Sequence, residues 1–146
     1  MILVTGGAGF IGANFVLDWL DQSREPVLNL DALTYAGNRE SLRSLDGDAR
    51  HVFVHGDITD RSLLDGLFTR HRPRAVVHFA AESHVDRSIH GPGAFIHTNV
   101  QGTFTLLEAA RAFWSTLPGA DRNQFRFHHV STDEVYGSLG PADAPF

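Results

Sequence analysis

A glycine triplet between a strand and a helix constrains this chain more than any other feature. Thr5-Gly6-Gly7-Ala8-Gly9-Phe10-Ile11-Gly12 follows the apolar run Ile2-Leu3-Val4. It precedes a segment in which Phe10, Ile11, Phe15, Val16, Trp19 and Leu20 recur at helical spacing. An acid, Asp31, closes the next apolar run nineteen residues after Gly12. Gly6 permits a tight bend, Gly9 lets the backbone approach a pyrophosphate, and Gly12 lets helix and strand lie close together. A pyrophosphate would rest on the helix N-terminus, where free N–H groups and the helix dipole favour an anion. A lone triplet is also compatible with a plain turn. The strand before, the helix after and the acid at this distance argue for a dinucleotide site.

The rest of the chain repeats the strand–helix alternation. Strands are expected at Val27–Leu30, His51–His55, Ala75–Phe79 and Phe125–Val130. Between them come a weak helix over Arg39–Leu45, a helix capped by Asp60 and stopped by Pro73, and a long helix from about Ala94 to Ser115. The later strands are mostly continuous apolar runs, the mark of a parallel sheet covered on both faces. The expected fold is therefore a doubly wound α/β sheet of Rossmann type. At 146 residues the chain suits one core and is too short for two full domains.

Asp31 also selects between cofactors. Its carboxylate accepts hydrogen bonds from both ribose hydroxyls and repels a 2′-phosphate, and no Arg follows before Arg39. NAD is expected over NADP. Asp57 and Ile58, after the third strand, fall where an adenine edge would lie; Asp57 is equally suited to capping its own loop.

In an open α/β sheet the chemistry lies beyond the carboxyl ends of the strands. After the fourth strand come Ala80-Ala81-Glu82-Ser83-His84-Val85-Asp86, whose small residues leave room for the nicotinamide half of a dinucleotide. After the fifth come Ser131-Thr132-Asp133-Glu134-Val135-Tyr136-Gly137. Adjacent acids in a crevice suit acid–base work, because shared burial separates their pKa values. Thr132 offers a hydroxyl to orient a substrate oxygen. The same two acids would also suit a solvated helix start.

Composition removes several classes. No run approaches the length of a membrane span, and no signal peptide is evident. There is no Cys, so disulfides and thiolate chemistry are excluded, and a cytoplasmic setting is expected. The net charge of −5, with no basic block, argues against a nucleic-acid partner. All 12 basic residues are Arg. That excludes a phosphate-loop lysine, a Schiff-base lysine and a Tyr-x-x-x-Lys pair within these residues. Nine His invite a metal reading, but His51 with His55 and His128 with His129 form no compact ligand set with a nearby acid, so no metal is expected. Phe95, Phe104, Leu107, Phe113 and Trp114 suit a core or an interface.

The segments Thr5–Gly12, Ala80–Arg87, Thr98-Asn99 and Ser131–Gly137 resemble the extended short-chain dehydrogenase/reductase superfamily. Three segments narrow the likeness: Asp31-Ala32-Leu33-Thr34-Tyr35-Ala36-Gly37-Asn38, Ala81-Glu82-Ser83-His84-Val85-Asp86-Arg87-Ser88 and Thr132-Asp133-Glu134-Val135-Tyr136-Gly137. Together they resemble the dTDP-glucose 4,6-dehydratases. The resemblance implies NAD-mediated oxidation at C4 of the sugar, loss of water across C5 and C6, and hydride return to C6. The position matching Glu134 would take the C5 proton, that matching Asp133 would protonate the departing C6 hydroxyl, and Thr132 would hold the C4 oxygen. The cofactor would be lined by Gly6, Gly9, Phe10, Ile11 and Gly12, by Asp31, Ala32, Leu33 and Thr34, by Asp57 and Ile58, and by Phe79, Ala80, Ala81, Glu82, Ser83 and Thr98. Ser83 and His84 would meet the nucleotide sugar. In the resembled family the helix matching Ala94–Ser115 forms half of a dimer interface, so a homodimer is expected.

The family's Tyr-x-x-x-Lys pair is missing, since the chain has only Tyr35 and Tyr136 and no Lys. Residues 1–146 are therefore expected to be the N-terminal part of a dinucleotide-binding domain, with the pair, further strands and a substrate domain beyond Phe146, and to be inactive alone. A related sugar-nucleotide epimerase or decarboxylase, or a non-catalytic NAD-sensing module, are the alternative readings.

Overall fold

The computed structural model describes residues 1–145, apart from the side chains of Asp133 and Glu134. Five parallel strands form one sheet: β1 (Ile2–Thr5), β2 (Val27–Asp31), β3 (His51–His55), β4 (Ala75–His78) and β5 (Arg126–His129). Their spatial order is β3-β2-β1-β4-β5. Ile2 pairs with Val27 on one side and with Ala75 on the other, so the chain leaves β1 between two strands that come later in sequence. The switch in winding direction lies there, between β1 and β4.

Alternation along β1 divides the apolar side chains between two faces. Leu3 joins Leu28, Leu30, Val76, Phe68 and Leu106 under helices α2 (Arg61–His71) and α5 (Thr103–Thr116). Ile2 and Val4 join Val16, Leu20, Val27 and Leu42 under α1 (Phe10–Gln22) and a short 3-10 helix at Arg39–Leu45. Both faces are covered, as the continuous apolar runs imply, and the fold is the doubly wound sheet expected from the sequence.

Helix ends follow local chemistry. The Asp60 side chain accepts the Leu63 N–H at 2.9 Å and starts α2. Arg72 closes it in the left-handed region at φ 44°, just ahead of Pro73. Three elements differ from expectation. The loop after β4 holds a helix, α3 (Val85–His90). The long helix starts at Pro92 as α4 (Pro92–Phe95), widens to a π-helical stretch over Ile96–Gly102, then continues as α5. A further helix, α6 (Gly119–Gln124), follows Pro118 and precedes β5. Pro at a first helical position is favourable, and each of α3, α4 and α6 is too short for helical periodicity to show.

Phe68, 1% exposed, stacks on Phe113 with ring centroids 5.2 Å apart and joins α2 to α5. Phe68→Ala is expected to lower stability by about 3–5 kcal/mol, through lost burial and the cavity left behind. Denaturant unfolding of the full-length protein measures this.

Candidate functional site

The glycine turn is held from three sides. Gly6 has φ +72°, and a Cβ there would lie 2.6 Å from the Ala80 nitrogen, so neither the backbone nor the β4 loop accepts another residue. A Cβ on Gly12 would run into the Gly6 carbonyl, which is why α1 can start so close to β1. Gly9 meets only the Gly6 oxygen at 3.3 Å and lines the cleft above. The first-turn N–H groups of α1 have no acceptors within the helix and face this end of the sheet.

Asp31 ties the turn to the segment after β2. It is 7% exposed, at the carboxyl end of its strand. Oδ2 accepts the Ala8 N–H at 2.8 Å, and Oδ1 accepts the Leu33 N–H at 2.7 Å. The Ala8 carbonyl accepts the Asn38 N–H at 2.8 Å, so both polar groups of Ala8 are bound by the β2 side of the cleft. The bond from Leu33 holds that residue in the left-handed region, φ 51°, a strained conformation for a branched side chain. A carboxylate has about four acceptor positions, and two are used within the chain.

A cleft extends from Asp31, Ala32 and Thr34 past Gly6 and Gly9 to Phe79–Glu82 and Thr98. Asp57 and Ile58 line its far end. Asp57 also caps its own loop, its Oδ1 accepting both the N–H and the hydroxyl of Thr59. The two readings of Asp57 are thus compatible. Leu30, Ala36, Gly37 and Gly56 join the lining without having been singled out. Phe10 and Ile11 project outward from the first turn of α1. Neither they, nor Gly12, nor Leu33 lines the cleft.

A second cleft shares Ala80–Glu82 with the first and continues to Ser83, Asn99, Thr103 and Ser131-Thr132. Asn99, in the π-helical stretch, clamps one peptide: its Oδ1 accepts the Glu82 N–H and its Nδ2 donates to the Glu82 carbonyl, both at 2.8 Å. Thr132 is exposed at the end of β5, ahead of a 3-10 turn at Asp133–Tyr136. The side-chain assignments to Asp133 and Glu134 lie outside the described residues. His84 is exposed at the start of α3 and lines neither cleft. Among the described residues no three His, Asp or Glu side chains are placed to hold a metal ion, and no helix is long and apolar enough to cross a membrane.

Two buried polar residues support the site and were read only as parts of strands. Asn29, fully buried in β2, donates to the Gly7 carbonyl at 3.3 Å and to His51 Nε2 at 3.2 Å. Burial lowers the His51 pKa, against the pull of Asp48, which suits a ring nitrogen that accepts. His78, 1% exposed, shares hydrogen bonds with the Thr5 hydroxyl at 2.6 Å and the Thr103 hydroxyl at 3.0 Å. It thereby ties β1, β4 and α5 together beneath both clefts. A polar residue inside an apolar run was the only sequence signal for either.

The family model for GDP-mannose 4,6 dehydratase matches residues 3–146. The chain is 64% identical over 138 residues to the dTDP-glucose 4,6-dehydratase of Xanthomonas campestris pv. campestris strain B100, covering 94% of this chain and 39% of that protein. It is 57% identical over 142 residues to dTDP-glucose 4,6-dehydratase 1 of Escherichia coli K12, covering 97% and 39%. Among solved structures, a double mutant of the Streptomyces venezuelae dTDP-glucose 4,6-dehydratase DesIV, solved with NAD bound, superposes with TM-score 0.83 at 48% identity. That match covers 99% of this chain and 43% of that one. The chain thus spans about two fifths of the length of these relatives.

Burial, with His129 adding to it, lowers the His78 pKa to about 4. The ring is neutral in the fold and ordinary when unfolded, so protons favour the unfolded chain between the two values. Stability is therefore fully present above about pH 6.5 and is lost as pH falls toward 4, by up to about 3 kcal/mol. Denaturant midpoints across that range should show the slope, and His78→Gln should flatten it.

Proposed function

The chain belongs to the GDP-mannose 4,6 dehydratase family, and from that membership we propose that it carries the NAD-binding part of an enzyme converting dTDP-glucose to dTDP-4-keto-6-deoxyglucose. The observation that carries the reading is the continuity of the two clefts. One path leads from the buried Asp31 carboxylate over the glycine turn to Thr132 at the end of β5. Within the family, the choice of dTDP-glucose follows relatives 64% and 57% identical that bear that name.

The residues present fit the cofactor. Asp31 keeps acceptor positions for a ribose diol, Gly9 leaves the turn without a side chain, and α1 offers its N-terminal N–H groups to a pyrophosphate. A buried carboxylate here favours NAD over NADP. NAD, when bound, would accept hydride from C4 of the sugar and give it back at C6. Thr132 would hold the C4 oxygen by its hydroxyl. Glu134 would take the C5 proton, which a 4-ketone acidifies, and Asp133 would protonate the C6 hydroxyl so that it leaves as water. The step needs one acid ionised and its neighbour protonated, which different environments supply. Ser83 and His84 would meet the nucleotide sugar. Ile96, Val100, Phe104 and Leu107 form an exposed apolar stripe at helical spacing, which would pair with a second copy of the chain as a homodimer. A cytoplasmic setting accompanies a nucleotide-sugar substrate.

Two experiments on the full-length protein test this reading. Asp31→Ala is expected to weaken NAD by about 1.5–3 kcal/mol, the worth of hydrogen bonds to a charged group. Titration of the cofactor-free wild type with both dinucleotides should favour NAD, and equal or tighter NADP binding would count against Asp31 as the selector. Glu134→Gln is expected to stop exchange of the C5 proton with solvent deuterium and to cut dehydration by a factor of about 10²–10⁴. Turnover above about a tenth of wild type, below the least effect of such a base, overturns that assignment.

A further inference from the structure

Tyr35 and Arg87 belong to two of the three segments that gave the sequence its family likeness, and nothing above uses their side chains. Tyr35 sits at the tip of a tight turn in which the Gly37 N–H donates to the Thr34 carbonyl at 3.1 Å. Its neighbours Thr34 and Ala36 line the first cleft beside Asp31. Arg87 lies on α3, in the segment after β4. The Arg87 guanidinium carbon is 3.7 Å from the Tyr35 ring centroid, a close stack of a cation on an aromatic face. Glu82, which lines both clefts, faces the phenol; burial first, and then this carboxylate, raise the Tyr35 pKa. Arg87 pairs with no carboxylate at ion-pair distance among the described residues, so the ring is its principal partner.

The topology gives this contact its meaning. In the order β2-β1-β4, the segments after β2 and β4 stand on either side of the glycine turn that follows β1. Tyr35 reaches from one and Arg87 from the other, so their contact bridges the crevice at its carboxyl end. Both supports are firm. The Tyr35 side is fastened through Asp31, Ala8 and Asn38, and the Arg87 side through the Asn99 clamp on Glu82. The bridge itself is made of two exposed side chains that can part.

We propose that Tyr35 and Arg87 form a strap across the dinucleotide cleft that must open for the cofactor to enter or leave, and so sets its rate of exchange. The proposal rests on the reading that this cleft holds NAD. The strap acts on retention and touches no reacting atom, so Tyr35 and Arg87 are positioning residues. An enzyme that returns its hydride each cycle gains from a cofactor that stays bound between turnovers.

The test uses the full-length protein loaded with NAD and mixed with an excess of an NAD-consuming dehydrogenase, so that each released cofactor is trapped and counted. Tyr35→Ala and Arg87→Ala are expected to release NAD about 2–5 times faster than wild type, the range for an exposed cation–aromatic contact. Tyr35→Phe keeps the face and loses only the hydroxyl's bond to Glu82, so its release is expected to be slower than that of Tyr35→Ala. The double alanine variant is expected to be no faster than the faster single one, because one contact is lost in all three. Both side chains are exposed, so melting of the cofactor-free variants should match wild type, which a merely structural role would not allow. Unchanged release in the alanine variants, or fully multiplicative effects in the double variant, overturns the strap alone. Failure of the wild type to take up NAD overturns the cofactor reading, and the strap with it.

Discussion

The site depends on one buried carboxylate. Asp31 is placed by β2, yet its two bonds reach forward to Leu33 and back across the sheet to Ala8. The bond to Ala8 fixes the glycine turn against β2, and the bond to Leu33 holds a strained residue that starts the turn carrying Thr34 and Tyr35. A buried acceptor with two donors from separate segments is hard to replace, because its loss leaves both N–H groups without a partner. The feature read from sequence as a ribose acceptor is thus also the fastening that gives the cleft its shape. Removing it is expected to act on local order as well as on affinity.

The sheet and the cleft at its carboxyl edge were readable because their signals are local. Apolar runs closed by Thr5 and Asp31 state where parallel strands end, and the carboxyl ends of such strands state where a cleft opens. Gly6 and Gly12 are required by contacts within ten residues of chain or with the next strand loop. What escaped is held together over longer separations. Asn29 and His78 look like polar interruptions of strands, and their value appears only when Gly7, His51, Thr5 and Thr103 come within hydrogen-bond reach. The Asn99 clamp spans seventeen residues and closes on backbone atoms, which carry no sequence signal of their own. Helix α3 has neither a capping side chain nor a buried face, so no pattern marks it.

The π-helical stretch shows how these hidden contacts divide the work. An α-helix running unbroken from Pro92 to Thr116 would present residues at a fixed 3.6-residue repeat. Widening over Ile96–Gly102 changes that phase just where three demands meet. Thr98 lines the first cleft, Asn99 clamps the Glu82 peptide, and Gly102 sits tightly against Ile58. The next residue, Thr103, receives His78, and α5 also buries Leu106, Ala109 and Phe113 in the core. The wider turn separates the two sets of positions, so the core-facing half of the helix stays regular while the cleft-facing half is set by the site. Local departures from regular helix recur at functional positions for this reason. Here the departure supports the same loop, at Glu82, on which both clefts and the far end of the Tyr35–Arg87 contact rest.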